Sequence, residues 1–326
     1  MSGPTLVTGA TGFIGSHVVA QLLDRGEPVR VLVRDPAGLE QVGLAGREGL
    51  EVVTGDLLDP GTLPAAVEGA RRVHHIAGVI SLERGDGERM HRLNVETTQN
   101  LFAALEGSEV ERIVYLASIF ALAGGDGTPA TEDSPWRLES LPVPYVQAKR
   151  VAELFVREQT EGGMPVVFAY PTFCYGPGDV NGSSSDLLVG FLNGEVPAYI
   201  AGGHNALDVR DAADGLIKAM DRGEPGRRYL LGGTDVTFRQ LFGLLSWITD
   251  RSSPAIRLPA VVGRWTGWAA ERVLSDPPLT EQMALMSARR WYYDDTRARK
   301  ELGHVSRPLE ETMRNAIAWY RERGVV

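Results

Sequence analysis

The chain has 326 residues, 43% of them hydrophobic and 23% charged, with a formal charge of −9. Those proportions exclude a disordered, collagen-like or coiled-coil chain and allow one large or two modest soluble domains. The acidic balance and the lack of any long Lys/Arg run argue against nucleic acid as a partner, and a single cysteine, Cys174, can make neither an internal disulfide nor a Cys-based zinc site.

The first residues lack the basic-then-apolar pattern of a signal peptide. With the lone cysteine, this points to a reducing, cytoplasmic location. Short runs rich in Val and Ile then alternate with helix-length segments. Thr5–Val7, Val29–Val33, Glu51–Val53, Arg72–Ile76, Ile113–Leu116 and Val166–Ala169 read as strands, nearly continuous in apolar character, as parallel strands buried on both faces should be. Between them, Gly12–Arg25, Gly87–Leu105 and Tyr145–Glu161 read as helices. The alternation predicts an α/β fold: a Rossmann doubly wound parallel sheet with helices on both faces.

Beyond Pro171, prolines divide the chain into shorter pieces. Helical patterns return at Asp211–Asp221, Thr237–Thr249, Leu258–Leu274 and Leu309–Arg323, and Arg227–Leu231 reads as a strand. The expected organisation is a dinucleotide-binding domain over 1–170, rejoined by a strand and helix near 205–231. A smaller, mainly substrate-binding domain covers 171–326. Leu258–Leu274 is the closest approach to a membrane span, but Arg264 and Glu271 interrupt it. No stable membrane insertion is expected, and this segment reads as an amphipathic helix facing the core, with attachment to a membrane surface as the lesser alternative.

Thr8-Gly9-Ala10-Thr11-Gly12-Phe13-Ile14-Gly15 follows the first strand and opens the first helix. In such a turn the first Gly permits the bend, the second lets backbone N–H groups approach a pyrophosphate, and the third permits helix–strand packing. The second strand ends at Arg34, where an Arg accommodates a ribose 2′-phosphate and an acidic residue would bind a free 2′-hydroxyl. NADP(H) is therefore favoured, with NAD(H) left open because Asp35 is adjacent. Tyr145 and Lys149 are spaced i, i+4 and share one helix face. An ammonium beside a phenol lowers its pKa toward the range useful for proton transfer. Ser118, at the end of the fifth strand, offers a hydroxyl to a substrate oxygen. The six histidines (17, 74, 75, 91, 204 and 304) show no metal-ligand spacing, so no metal is expected. Asn181-Gly182-Ser183 is a chance glycosylation triplet.

The Gly-x-x-Gly-x-x-Gly spacing and the Tyr-x-x-x-Lys pair about 130 residues later resemble the extended short-chain dehydrogenase/reductase superfamily. The T-G-A-T-G-F-I-G wording is similar to its NAD-dependent epimerase/dehydratase branch and to dihydroflavonol 4-reductase-like enzymes. Val33-Arg34-Asp35-Pro36 resembles the latter, NADPH-using group. The resemblance implies that Asp56, with Leu57 beside it, contacts the adenine and that Ala77 and Gly78 line the cofactor. It also implies that Lys149 reaches the nicotinamide ribose and that Pro171 and Thr172 flank the nicotinamide. Asn94, in a segment resembling N-V-x-G-T-x-N-L, is associated there with a backbone kink and a proton relay. Homodimerisation through the Tyr145–Glu161 helix is a further family expectation.

Tyr170-Pro171-Thr172-Phe173-Cys174-Tyr175-Gly176-Pro177-Gly178-Asp179 resembles R-P-x-N-V-Y-G-P-G-D. Nucleotide-sugar enzymes carry Asn where Phe173 stands and Arg where His204 stands. Both departures remove handles for a sugar nucleotide. Phe120, Tyr170, Phe173 and Tyr175 instead suggest an apolar pocket, although any of these aromatics can equally be core. The reading is an NADPH-dependent reductase of a ketone or aldehyde on a small aromatic or alicyclic molecule. Tyr145 donates the proton, Lys149 tunes it, Ser118 holds the carbonyl oxygen and Asn94 resupplies protons. The alternatives are an NAD-dependent nucleotide-sugar epimerase/dehydratase and a 3β-hydroxysteroid dehydrogenase-like enzyme. A redox-sensing binding protein on the same fold is disfavoured by the intact Tyr145 and Lys149.

Overall fold

The six apolar runs of the first half pair as parallel strands, in a computed structural model that describes residues 3–180, 182, 185–275 and 277–326. Asn181 and Ser183 of the glycosylation triplet lie outside the described residues. The strands are β1 (Thr5–Thr8), β2 (Val29–Val33), β3 (Leu50–Thr54), β4 (Arg72–His75), β5 (Arg112–Leu116) and β6 (Val166–Pro171). Three short strands follow, β7 (Phe173–Tyr175), β8 (Ala198–Ile200) and β9 (Gly203–Asp208), before β10 (Arg228–Leu231) returns to the first sheet. The order is β10-β6-β5-β4-β1-β2-β3, parallel throughout. The reversal between β1 and β4 is the switch point of a doubly wound sheet, where a crevice opens at the carboxyl ends of the strands.

Two large cores flank this sheet, one on each face. Helix Pro144–Glu161 begins with proline at its first position, where a missing N–H costs nothing. It buries Tyr145, Ala148, Lys149, Ala152, Glu153 and Val156, a 3.6-residue stripe against the sheet. Three of those buried residues, Tyr145, Lys149 and Glu153, are ionisable. Glu153 accepts hydrogen bonds from the Tyr170 hydroxyl (2.8 Å) and Arg150 (2.6 Å), which ties the helix to β6.

A smaller assembly is built on β11 (Thr234–Thr237), β12 (Ile256–Leu258) and β13 (Arg290–Trp291). Strands β7, β11 and β13 all pair with β9, while β8 pairs with β12. A third hydrophobic cluster lies beneath it. Helix Phe238–Thr249 opens on a full capping box between Thr237 and Gln240.

Two expectations need correction. The single helix expected over Gly87–Leu105 is split by a π-helical turn, Arg92–Glu96, between helices Gly87–His91 and Thr97–Leu105. Its cause is a side chain inserted into the ladder: Asn94 donates to the Met90 carbonyl (3.0 Å) and also leaves the helix to reach Val79. The segment expected to face the core, Leu258–Leu274, forms helix Ala260–Val273, which turns the other way. Only Gly263 and Gly267 are buried, while Trp265 and Trp268 are exposed. The glycines face inward because the helix lies too close to its neighbours for side chains. A Cβ at Gly267 would stand 2.6 Å from the Thr280 carbonyl carbon, and one at Gly263 would stand 2.4 Å from Ile200.

Candidate active site

At the switch point the glycine loop is held by sterics. Gly9 has φ +76°, in the left-handed region that favours glycine, and a Cβ there would stand 2.7 Å from the Ala77 nitrogen. A Cβ on Gly15 would stand 2.1 Å from the Gly9 carbonyl oxygen. Gly12 closes the turn by donating to that same oxygen (3.0 Å) and caps helix Phe13–Asp24 without any side-chain bond. A cradle that no Cβ could share, at a helix start capped by glycine, fits a dinucleotide pyrophosphate. Thr11 packs beside Gly38, where a Cβ would lie 3.0 Å from its methyl group.

Beneath the loop runs a buried polar chain. Thr98 gives its hydroxyl proton to the Asn94 carbonyl (2.8 Å), so it must accept from His75 Nε2 (3.0 Å). His75 Nδ1 is then an acceptor, and Thr8 donates to it (2.8 Å). Thr8 in turn accepts from the N–H groups of Ile76 and Ala77. Burial pushes His75 down to about 3, which keeps the imidazole neutral as this chain requires.

Asn94 is fixed as well. Its amide accepts from the Val79 N–H (3.1 Å) and donates to the Val79 carbonyl (3.0 Å). The expected backbone kink is present, and the side chain serves first as a clamp on the segment after β4. Gly78 marks where the site converges, since a Cβ there would stand 3.0 Å from Asn94 Oδ1 and 3.1 Å from Lys149 Nζ. Ser118 caps the short helix Ile119–Leu122, with its hydroxyl accepting from the Phe120 N–H, and its side chain lowers the proton affinity of Tyr145.

The remaining positions divide. Arg34 is exposed and forms no ion pair among the described residues. Asp35 turns away and accepts from the Ala37 N–H. Asp56 accepts from the Leu58 N–H through Oδ1, and the Leu57 carbonyl accepts from Asn100. Pro171 ends β6, and Thr172 gives its hydroxyl to Asn205 (2.8 Å) rather than toward the crevice.

Phe120 packs edge-on against Tyr145 (6.0 Å between centroids), Phe173 (5.8 Å) and Trp291 (4.9 Å). Phe173 also meets His204 (4.8 Å). Tyr170 does not belong to this wall, because it has no exposed surface and commits its hydroxyl to Glu153. Tyr175 is buried in the third cluster, with its hydroxyl on His204 (2.9 Å). Sequence reasoning missed Trp291, Phe238 against His204, and the structural use of His75 and Thr98. The one available signal was that His75 ends a strand beside the glycine loop.

Residues 5–232 match the NAD-dependent epimerase/dehydratase family. The chain belongs to that family. It is 32% identical, over 98% of its length and 95% of the relative's, to a Synechocystis protein provisionally named dihydroflavonol 4-reductase. It is also 29% identical to sterol demethylase protein B of Methylococcus capsulatus, over 99% of both chains. Among solved structures, gox2253 superposes with a TM-score of 0.87 at 33% identity, covering 99% of each chain. The dTDP-glucose 4,6-dehydratase DesIV of Streptomyces venezuelae, solved with NAD bound, gives 0.80 at 25%, covering 98% of each. This epimerase/dehydratase-family chain is an NAD(P)-dependent oxidoreductase.

Tyr145 and Lys149 differ from the sequence expectation in one respect. Burial pushes Tyr145 up to about 12, offset in part by the neighbouring Ser118 side chain, so the phenol is protonated at neutral pH. Burial also pushes Lys149 down to about 8. Desolvation outweighs the mutual stabilisation expected of an ammonium and a phenolate. Between about 8 and the unfolded value of 10.5, the unfolded chain binds a proton at this lysine that the folded chain does not. Lys149 therefore makes stability rise with pH across that window. Denaturant unfolding of wild type and Lys149→Met from pH 7 to 9.5 should show the wild-type advantage growing above pH 8. A constant difference would mean that Lys149 is not desolvated.

Proposed function

We propose that this oxidoreductase reduces a ketone or aldehyde on a small, largely apolar substrate and prefers NADP(H). The observation that carries the reading is the character of the wall beside Tyr145. It is made of Phe120, Phe173 and Trp291, and it continues to a histidine that burial holds down to about 4, hence uncharged. A neutral imidazole stacked between aromatics offers no clamp for a diphosphate. Aromatic faces and edges suit a flat apolar molecule. The relation to sterol demethylase protein B, whose name indicates an apolar substrate, supports the same class.

When bound, a nicotinamide dinucleotide supplies the hydride for this chemistry. The chain supplies the rest. The glycine cradle and the start of helix Phe13–Asp24 would hold the pyrophosphate, Arg34 would meet a 2′-phosphate, and Asp56 would offer Oδ2 to the adenine edge. Lys149, facing Gly78 with Asn94, holds the ribose. Ser118 orients the carbonyl oxygen, and Tyr145, which burial keeps protonated, gives its proton to that oxygen. Asn94 keeps Gly78 and Val79 in place, so that water can reprotonate the site through Lys149. A homodimer through helix Pro144–Glu161 is part of the proposal, supported by its exposed Val151 and Leu154. A cytoplasmic location fits the single buried thiol, Cys174.

Tyr145→Phe should lower kcat by a factor of about 10² or more while dinucleotide affinity stays within about twofold. Steady-state kinetics with fluorescence titration checks this, and full retained turnover removes Tyr145 from the mechanism. Arg34→Asp should shift the NADPH/NADH ratio of kcat/KM toward NADH by about tenfold or more. An unchanged ratio removes Arg34 from the site.

A further inference from the structure

Helix Ala260–Val273 is built inside out. Its inward face consists of Gly263, Gly267 and Ala270, and its outward face carries Val261, Val262, Trp265, Trp268 and Val273. At 100° per residue the outward side chains form one stripe, centred directly opposite the glycines. Val261 is 67% exposed, Trp265 63% and Val273 83%. Leu274 and, on β12, Ile256 extend the patch. A helix that hides its small residues and presents its large apolar ones does not gain stability from this arrangement.

The charges around the patch identify its partner. Arg257 and Arg272 are exposed within it or on its rim, while Arg264 is paired with Glu281 of the neighbouring helix (2.7 Å), and Glu271 is the one acid over residues 254–274, in a chain whose formal charge is −9. Arg272 lies 3.7 Å over the Trp268 ring, and the Trp265 and Trp268 rings meet at 5.6 Å. Tryptophan beside arginine on one apolar helix face is the composition that rests at the boundary between lipid headgroups and acyl chains, with the indoles in the boundary and the guanidinium groups on anionic phosphates. No helix among the described residues is long and apolar enough to cross a membrane. The geometry is that of a helix lying in the surface plane.

We propose that helix Ala260–Val273 docks this protein onto an anionic phospholipid surface. The helix packs on helix Glu281–Ser287, whose cap Thr280 donates to the Leu82 carbonyl, just beyond Gly78 and Val79. The lipid-facing helix is thus tied through Thr280 to the segment that follows Gly78 and Val79. The docking itself stands independently of the carbonyl-reductase reading.

The test is flotation of the full-length protein with vesicles of phosphatidylcholine, with and without about one-quarter phosphatidylglycerol. Wild type should float with the anionic vesicles and about tenfold less with neutral ones or in high salt. Val261→Gln/Trp265→Gln should lower anionic-vesicle affinity about tenfold or more, with melting temperature and dinucleotide binding unchanged. Arg257→Gln/Arg272→Gln should abolish the preference for anionic over neutral vesicles. Wild type that fails to float, or a Val261→Gln/Trp265→Gln variant that floats equally, overturns the proposal. So does a concentration-dependent dimer, seen by sedimentation in wild type and lost in that variant, which would assign the face to a second copy.

Discussion

The site depends on a close approach of backbone to backbone where β1 and β4 end. Gly9 and Ala77 are so near that no side chain fits between them, and Gly78 leaves just enough room for Asn94 and Lys149 to face one point. The buried run from Thr8 through His75 and Thr98 to the Asn94 carbonyl keeps this approach in register. Each member of the run is satisfied only when the imidazole is neutral with its proton on Nε2. Burial enforces the neutral state, and the fixed threonine protons select the tautomer. The glycine loop and the π-helical turn are therefore positioned by one network.

Desolvation then sets the chemistry. The same packing that buries Tyr145 beside Phe120 holds its proton on at neutral pH, as a proton donor needs, and makes Lys149 easier to discharge. The aromatic wall extends the low-dielectric surroundings as far as His204, which stays uncharged for the same reason. Polarity is thus concentrated at Ser118, Tyr145, Lys149 and Asn94, and the wall beside them is aromatic and uncharged.

Much of this was legible in the sequence because it is local. Parallel strands read as continuous apolar runs, the glycine loop follows its strand directly, and Tyr145 and Lys149 are one helical turn apart. What was not legible depends on contacts distant in sequence. The inserted Asn94 amide that splits a helix needs Val79 to receive it. Tyr170 reads as a pocket aromatic until Glu153 is placed beside its hydroxyl, and Trp291 joins the wall only through the late strand β13. The orientation of helix Ala260–Val273 misled for a physical reason. Apolar periodicity marks an apolar face, but it does not say whether protein or something else covers that face.

The most direct test of the account is the dinucleotide itself. Purified protein would be denatured, any released dinucleotide identified, and the emptied, refolded protein titrated with NADPH and NADH. A reductase that exchanges its cofactor at every turnover predicts little carried-over NAD(H) and tighter binding of NADPH. Stoichiometric, tightly held NAD(H) would contradict it and would assign the site to chemistry that returns its hydride to the same substrate.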